Sequence, residues 1–132
     1  MKTPMLDIAS IVPMEREIQI EHPNGTGEKL PIWVTVMSVD DPRLQPHTKK
    51  LQEKNQERAR RGKVIPIDER EKAIIDLLAR TITGWRWEVH YKGEFPAFSH
   101  LKAVEILSDE NIIWFRKQID DAVGDANRFF QS

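Results

Sequence analysis

Four histidines, His22, His47, His90 and His100, are the side chains best suited to hold a transition metal, because the chain has no cysteine. Zinc requires a tight set of His, Cys or carboxylate ligands. No His-x-x-x-His or His-Glu-x-x-His spacing occurs, and the four residues fall in turns and expected loops, so they read as solvated or edge histidines. The missing cysteines also exclude a disulfide framework, thiolate zinc, iron–sulfur ligation and a thiol nucleophile. No phosphate-cradling Gly-x-x-x-x-Gly-Lys or Gly-x-Gly-x-x-Gly loop is present, and no Gly-x-Ser-x-Gly elbow. Acidic pairs stand at Asp40-Asp41, Asp109-Glu110 and Asp120-Asp121. Helix capping accounts for the first two, and the third lies on the exposed side of an expected helix. Acid–base work needs a buried, perturbed carboxylate. No catalytic residue, metal ligand or cofactor is therefore assigned, and a non-enzymatic protein is expected.

Docking chemistry is better represented. Residues 43–63 carry Arg43, Lys49, Lys50, Lys54, Arg58, Arg60, Arg61 and Lys63 against only Glu53 and Glu57, in a chain whose formal net charge is -1. A segment of net +6 leaves the remainder at -7, an asymmetry that suits an acidic partner or phosphates. The bland alternative is a solvated helix held by i, i+4 pairs such as Lys49–Glu53 and Glu57–Arg61. No aromatic residue lies between Trp33 and Trp85, so base stacking has no platform here and nucleic acid is disfavoured. Aromatic area concentrates instead in the last third, in Trp85, Trp87, Phe95, Phe98, Trp114 and Phe115. These residues pack a small core or, if exposed, anchor a partner. Phe129-Phe130, after the Gly124-Asp125 break, is either tucked back or offered to a neighbour. The candidate partner-binding residues are thus Arg43, Lys50, Lys54, Arg58, Arg60 and Arg61 on the basic segment. Trp85, Trp87, Phe98, Trp114, Phe129 and Phe130 are the aromatic candidates.

The elements that must position them follow from periodicity. Residues 1–15 are expected to be an arm, and 16–132 a single domain. Glu17-Ile18-Gln19-Ile20-Glu21 alternates like a half-buried strand, His22–Gly27 is a turn cluster containing Asn24-Gly25, and Leu30–Met37 is the returning strand. Pro31 cannot donate to a ladder, so it belongs near the strand start or an open edge. This predicts a β-hairpin over 16–38. Asp40-Asp41-Pro42 starts a polar helix over 41–61, closed by Gly62. The part from 68 to 132 is expected to be helical. Its first helix carries an apolar stripe of Ile74, Leu77, Leu78 and Ile82, flanked by Ile75, with Gly84 as left-handed cap. Trp85 to Tyr91 alternates and is either a short strand or an extended loop. Ser99 caps a helix bearing Leu101, Val104 and Leu107, and Ser108 caps the last, with Ile112, Phe115, Ile119 and Val123 on one face. The fold class is α+β, mainly α: one N-terminal hairpin followed by about four helices.

With 132 residues, 39% hydrophobic and 31% charged, the chain has room for one modest core under a wet surface. Its mean hydropathy is -0.53. Apolar runs are only a few residues long, so no bilayer span is expected. Pro4 and Asp7 break up the N-terminal apolar residues, which predicts a cytosolic protein.

The order of these signals resembles the tail assembly chaperones of long, non-contractile-tailed bacteriophages and their prophages. The residues that carry the resemblance are the Trp-bearing hairpin, Asp40-Asp41-Pro42-Arg43 before a charged helix, and Thr81-Ile82-Thr83-Gly84-Trp85. Pro96-Ala97-Phe98-Ser99, Phe115-Arg116-Lys117-Gln118-Ile119 and Asp125-Ala126-Asn127-Arg128-Phe129-Phe130 complete the series. It covers roughly residues 30–132. The resemblance implies an accessory protein of the host bacterial cytoplasm, absent from the mature virion. Such a protein binds tape measure protein, helps recruit tail tube protein, and tends to self-associate. It has no catalytic site and no membrane partner. The rival expectations are a virion structural or head–tail joining protein, and a duplex-DNA-binding regulator acting through residues 43–63.

Overall fold

The computed structural model describes residues 8–130, so residues 1–7 of the expected arm lie outside it. Strands β1, Arg16–Glu21, and β2, Lys29–Val36, form the antiparallel hairpin, with Ile18 opposite Val34 and Arg16 opposite Val36. At its turn the Thr26 N–H and hydroxyl both donate to Asn24 Oδ1, at 3.1 and 2.7 Å. Gly25 takes φ of 77°, a conformation that costs a residue with a Cβ. The ladder slips between Gln19 and Glu21, and Pro31 falls in the stretch of β2 that faces the slip. A residue without an N–H is tolerated there even though β2 is the middle strand.

The third strand, β3, spans Ile82–Trp87 and pairs antiparallel with β2 in the order β1-β2-β3. The alternating aromatic stretch is therefore a strand, with Trp85 opposite Val34 and Trp87 opposite Ile32. It begins three residues before Trp85, so the part from 68 to 132 is not wholly helical. The helix before it, α2, spans Ile67–Thr81 and passes into β3 with no loop, since Ile82 already has φ of -83° and ψ of 122°. Gly84 is accordingly not a left-handed cap but a strand residue opposite Thr35. The β-branched run Thr81-Ile82-Thr83 favours extended backbone and ends the helix earlier. Two bonds fix the junction: the Thr81 hydroxyl donates to the Leu78 carbonyl at 2.5 Å, and the Met37 N–H donates to the Thr81 carbonyl at 2.8 Å.

Helices α3, His100–Leu107, and α4, Ile113–Gly124, complete the layer that covers one face of the sheet. Ser99 caps α3 by accepting from the Lys102 N–H. Ser108 does not start α4. It closes α3, its hydroxyl donating to the Val104 carbonyl, while Asp109 accepts from the Asn111 N–H and caps an intervening 3-10 turn. One cluster of buried residues joins Ile20, Ile32, Val34 and Val36 of the sheet to Ile75, Leu78 and Ala79 of α2. Ala103, Ile106 and Leu107 of α3, Phe115, Ile119 and Val123 of α4, and Phe129 belong to the same cluster. The fold is α+β and mainly helical.

Two expected core residues lie outside. Ile74 is 56% exposed and Leu101 is 80% exposed. The inward faces of their helices are instead centred on Ile75, Leu78 and Ala79, and on Ala103, Ile106 and Leu107. Small Ala79 and Ala103 let the helices approach closely, which turns the neighbouring large residues outward.

Helix α1, Gln45–Arg60, follows a 3-10 turn over Pro42–Leu44 and buries no residue of its own. Asp41 caps that turn, accepting from the Arg43 N–H at 2.9 Å and from the Arg43 guanidinium at 3.0 and 3.1 Å. The hydrogen bonds from the Arg43 side chain hold the buried Asp41 carboxyl below its ordinary range. At the other end of the chain the Met14 N–H donates to the Phe129 carbonyl at 2.6 Å, tying the arm to the tail.

Truncation should separate the two sides of α2. Leu78→Ala is expected to lower unfolding stability by about 2–5 kcal/mol, and Ile74→Ala by less than ~1 kcal/mol. Urea denaturation of both variants measures the difference.

Candidate functional site

The basic helix is less free than its composition implies. Arg43 is bound to Asp41 and to Glu15, the latter at 2.9 Å. Arg58 pairs with Glu69 of α2, and Lys54 reaches the same carboxylate at 3.5 Å. Arg60 and Arg61 both face Glu57 of their own helix, at 3.8 and 3.1 Å. Lys50, with Lys49 and Lys63, has no ion pair among the described residues. The expected Lys49–Glu53 pair does not form. Candidates Lys54 and Arg58 therefore latch α1 to α2, and Lys50 remains available to solvent.

A second latch lies at the other end of α1. His47 Nε2 is 3.2 Å and His100 Nε2 is 3.1 Å from the two oxygens of Asp76, which also accepts from Arg80 at 2.9 Å. Histidines that look scattered along the chain thus meet on one carboxylate and tie α1, α2 and α3 together. Partial burial raises the Asp76 carboxyl, but the Arg80 guanidinium, aided by His100, outweighs it and leaves the group below its ordinary 3.8. Among the described residues no cluster of three or more His, Cys, Asp or Glu is arranged to hold a metal ion. The adjacent Arg80 charge opposes a cation at Asp76.

The aromatic candidates divide. Trp85 is half-buried, donates its Nε1–H to the Pro96 carbonyl at 2.9 Å, and meets Phe98 edge-on at 5.1 Å. Trp87 packs against Phe115 at 5.6 Å, and its buried Nε1–H has no acceptor among the described residues. Trp114 is half-buried against the core. Phe129 is 2% exposed and consumed by the core, whereas Phe130 and Phe98 remain open to solvent. Tyr91 closes the turn after β3, its hydroxyl donating to Asp109 at 2.8 Å. Burial and that bond push the phenol up to about 12. The apolar face of α4 is likewise inside, through Phe115, Ile119 and Val123. Of the aromatic residues concentrated in the last third and the tail, Phe95, Phe98 and Phe130 thus stay open to solvent, and the others are buried or half-buried.

A different surface carries exposed apolar area in a concave setting. Between α1 and α2 runs a cleft of about 470 Å³ floored by Leu51, Ile65, Ala73 and Ile74. Between α2 and α4 lies another of about 460 Å³, lined by Ile67, Ile74, Leu78 and Ile113. Ile74 stands on the ridge shared by both. Ile67 is 78% exposed and Ile113 38% exposed, so the strip continues past the two clefts' common wall. Its rim holds Arg70, Lys72 and Lys117, none with an ion pair among the described residues, and Arg116, which reaches Glu71 at 3.3 Å. Sequence reasoning placed Ile74 inward and passed over Ile67. The available signal was their seven-residue separation, which places both on one side of the helix, at the border of the buried face.

Compared with family models, with curated proteins and with solved structures, the chain finds no match in any of the three. Functional inference therefore rests on this surface and on the latches that shape it.

Both latches have measurable consequences. Asp76 has its carboxyl depressed in the folded state, so its contribution is present above its ordinary value of 3.8 and fades as pH falls through the lower folded-state value. Asp76→Asn should be less stable than the parent at pH 6, with the gap constant down to about pH 4 and closing below it. Urea midpoints across that range read the effect. In Glu69→Gln the amides of α1 should exchange hydrogen faster while those of α4 keep their protection, as local opening requires. Hydrogen-exchange mass spectrometry measures this.

Proposed function

We propose that this protein is a non-enzymatic tail assembly chaperone of a long, non-contractile-tailed bacteriophage or prophage. It binds tape measure protein in the host bacterial cytoplasm, keeps it soluble, helps recruit tail tube protein, and is absent from the finished particle. The observation that carries the reading is the apolar strip along α2, left uncovered beside a polar helix, with Arg70, Lys72 and Lys117 on its rim lacking an ion pair among the described residues. A tape measure protein is a long helical chain with apolar stripes, liable to aggregate until the tube encloses it. Shielding such a chain requires a greasy groove with complementary charge and no reactive group. The sequence resemblance supplies the biological setting, and the strip supplies a surface that suits the task.

Co-expression tests the reading. The long helical protein encoded beside this one should move from the insoluble to the soluble fraction when the two are made together, and the two should co-purify. Recovery of this protein at stoichiometric levels from purified infectious particles would instead make it a structural component.

A further inference from the structure

We propose that the strip along α2 seats one amphipathic helix of another protein, with that helix's flanks acidic. This names the partner chemistry of the docking surface, and it rests on the chaperone reading only for the partner's biological identity.

Shape selects a helix. The exposed run from Ile67 through Ile74 to the edge of Leu78 covers about three turns of α2, roughly 16 Å at the helical rise. The strip borders two clefts, one against α1 and one against α4, and Ile74 lines both. A helix presenting apolar residues at i, i+3, i+4 and i+7 fills such a groove. A flat bilayer does not enter a cleft between helices, and phosphates gain nothing from isoleucine.

Charge selects the flank. Glu69 on the rim is already neutralised by Arg58 and Lys54, and Glu71 by Arg116. Asp120 is the rim carboxylate without an ion pair, at the α4 end. Against it stand Arg70, Lys72 and Lys117, each a cation with no carboxylate partner among the described residues. Three unmet cations against one unmet carboxylate leave the surround of the strip net positive, so an occupant with Asp or Glu flanking its apolar stripe is complementary.

Fluorescence anisotropy with the full chain tests this, using two dye-labelled synthetic peptides of three heptads. Both carry leucine at the a, d and e positions. One has glutamate at the flanking positions and the other lysine. The glutamate peptide should bind saturably at low salt, and the lysine peptide at least about tenfold more weakly. Ile74→Asp should weaken the glutamate peptide about tenfold, and Arg70→Glu with Lys117→Glu about threefold or more. Ile67→Asp, farther from the core, serves as the second variant if Ile74→Asp perturbs the fold by circular dichroism. Equal affinity for the two peptides, no binding of either, or indifference to the variants overturns the proposal. So does a dimer in sedimentation velocity, or retention on anionic phosphatidylserine vesicles, that Ile67→Asp or Ile74→Asp abolishes, since a second copy or a bilayer is then the occupant. The two readings fail separately. If the glutamate peptide binds as stated but the neighbouring long helical protein stays insoluble on co-expression, the tail reading falls and the strip stands. If the Ile74→Asp chain solubilises that protein as well as the parent does, the strip falls and the tail reading stands.

Discussion

The structure turns on α2 having to serve two neighbours with very different capacities. On one side the sheet, α3 and α4 bury Ile75, Leu78 and Ala79. On the other side stands α1, whose sixteen residues contain Leu51 as the one large apolar side chain. A helix that polar cannot cover a second apolar stripe, so Ile67 and Ile74 stay wet. Covering an isoleucine fully is worth about 1.5–3 kcal/mol, and the fold leaves this stabilisation unrealised along α2. Ion pairs hold α1 in place instead, at Glu69 toward one end and at Asp76 toward the other. Exposed pairs of this kind are screened by solvent and weak. The outer helix is thus positioned by weak, salt-sensitive contacts, while the floor beneath it is set by a rigid core.

The direct passage from α2 into β3 fixes how that floor is oriented. With no loop between Thr81 and Ile82, the azimuth of α2 is coupled to the strand that carries Trp85 and Trp87. Those tryptophans face the core because their register partners, Val34 and Ile32, do. Rotating α2 to bury Ile74 would pull the Thr81 carbonyl from the Met37 N–H and withdraw Ala79 from the cluster. The exposure of Ile74 is therefore a consequence of sheet register, transmitted through one helix–strand junction. On the opposite flank of the sheet, the Gln118 side chain exchanges two hydrogen bonds with the Glu21 backbone, each 2.8 Å, which occupies part of the β1 edge.

Much of this was legible in the residues. The hairpin follows from alternation around Asn24-Gly25, and the inward face of α4 follows from Phe115, Ile119 and Val123 at helical spacing. The α2 stripe was harder, because Ile74, Ile75, Leu77, Leu78 and Ile82 span more than one face and nothing local says which side meets the sheet. Gly84 looked like a cap because glycine after a helix usually is one, yet the β-branched residues before it ended the helix first. Leu101 outweighed Ala103 in hydrophobicity, although close packing prefers the smaller residue at the helix contact. The meeting of His47 and His100 on Asp76 joins three helices far apart in sequence, and no spacing rule reaches that distance. The basic segment was visible as charge, but its pairing with Glu69 depends on how α1 folds back along α2.

Charge and apolar area occur together here in a way that neither an ordinary solvated helix nor an ordinary core explains. A solvated helix needs no uncovered isoleucines beneath it, and a core helix would have buried them. The cations that neutralise Glu69 and Glu71 come from α1 and α4, which leaves the cations of α2 itself, Arg70 and Lys72, unmatched. Among the described residues the rim thus keeps three unmatched cations, Lys117 with these two, against the single unmatched carboxylate Asp120, beside uncovered apolar area. Under the proposal above, an acidic amphipathic helix completes this surface, with carboxylates toward the unmet cations and aliphatic side chains along the middle. The buried cluster sets the floor, whereas exposed, salt-sensitive pairs hold the α1 wall, so added salt acts on the wall before it reaches the floor.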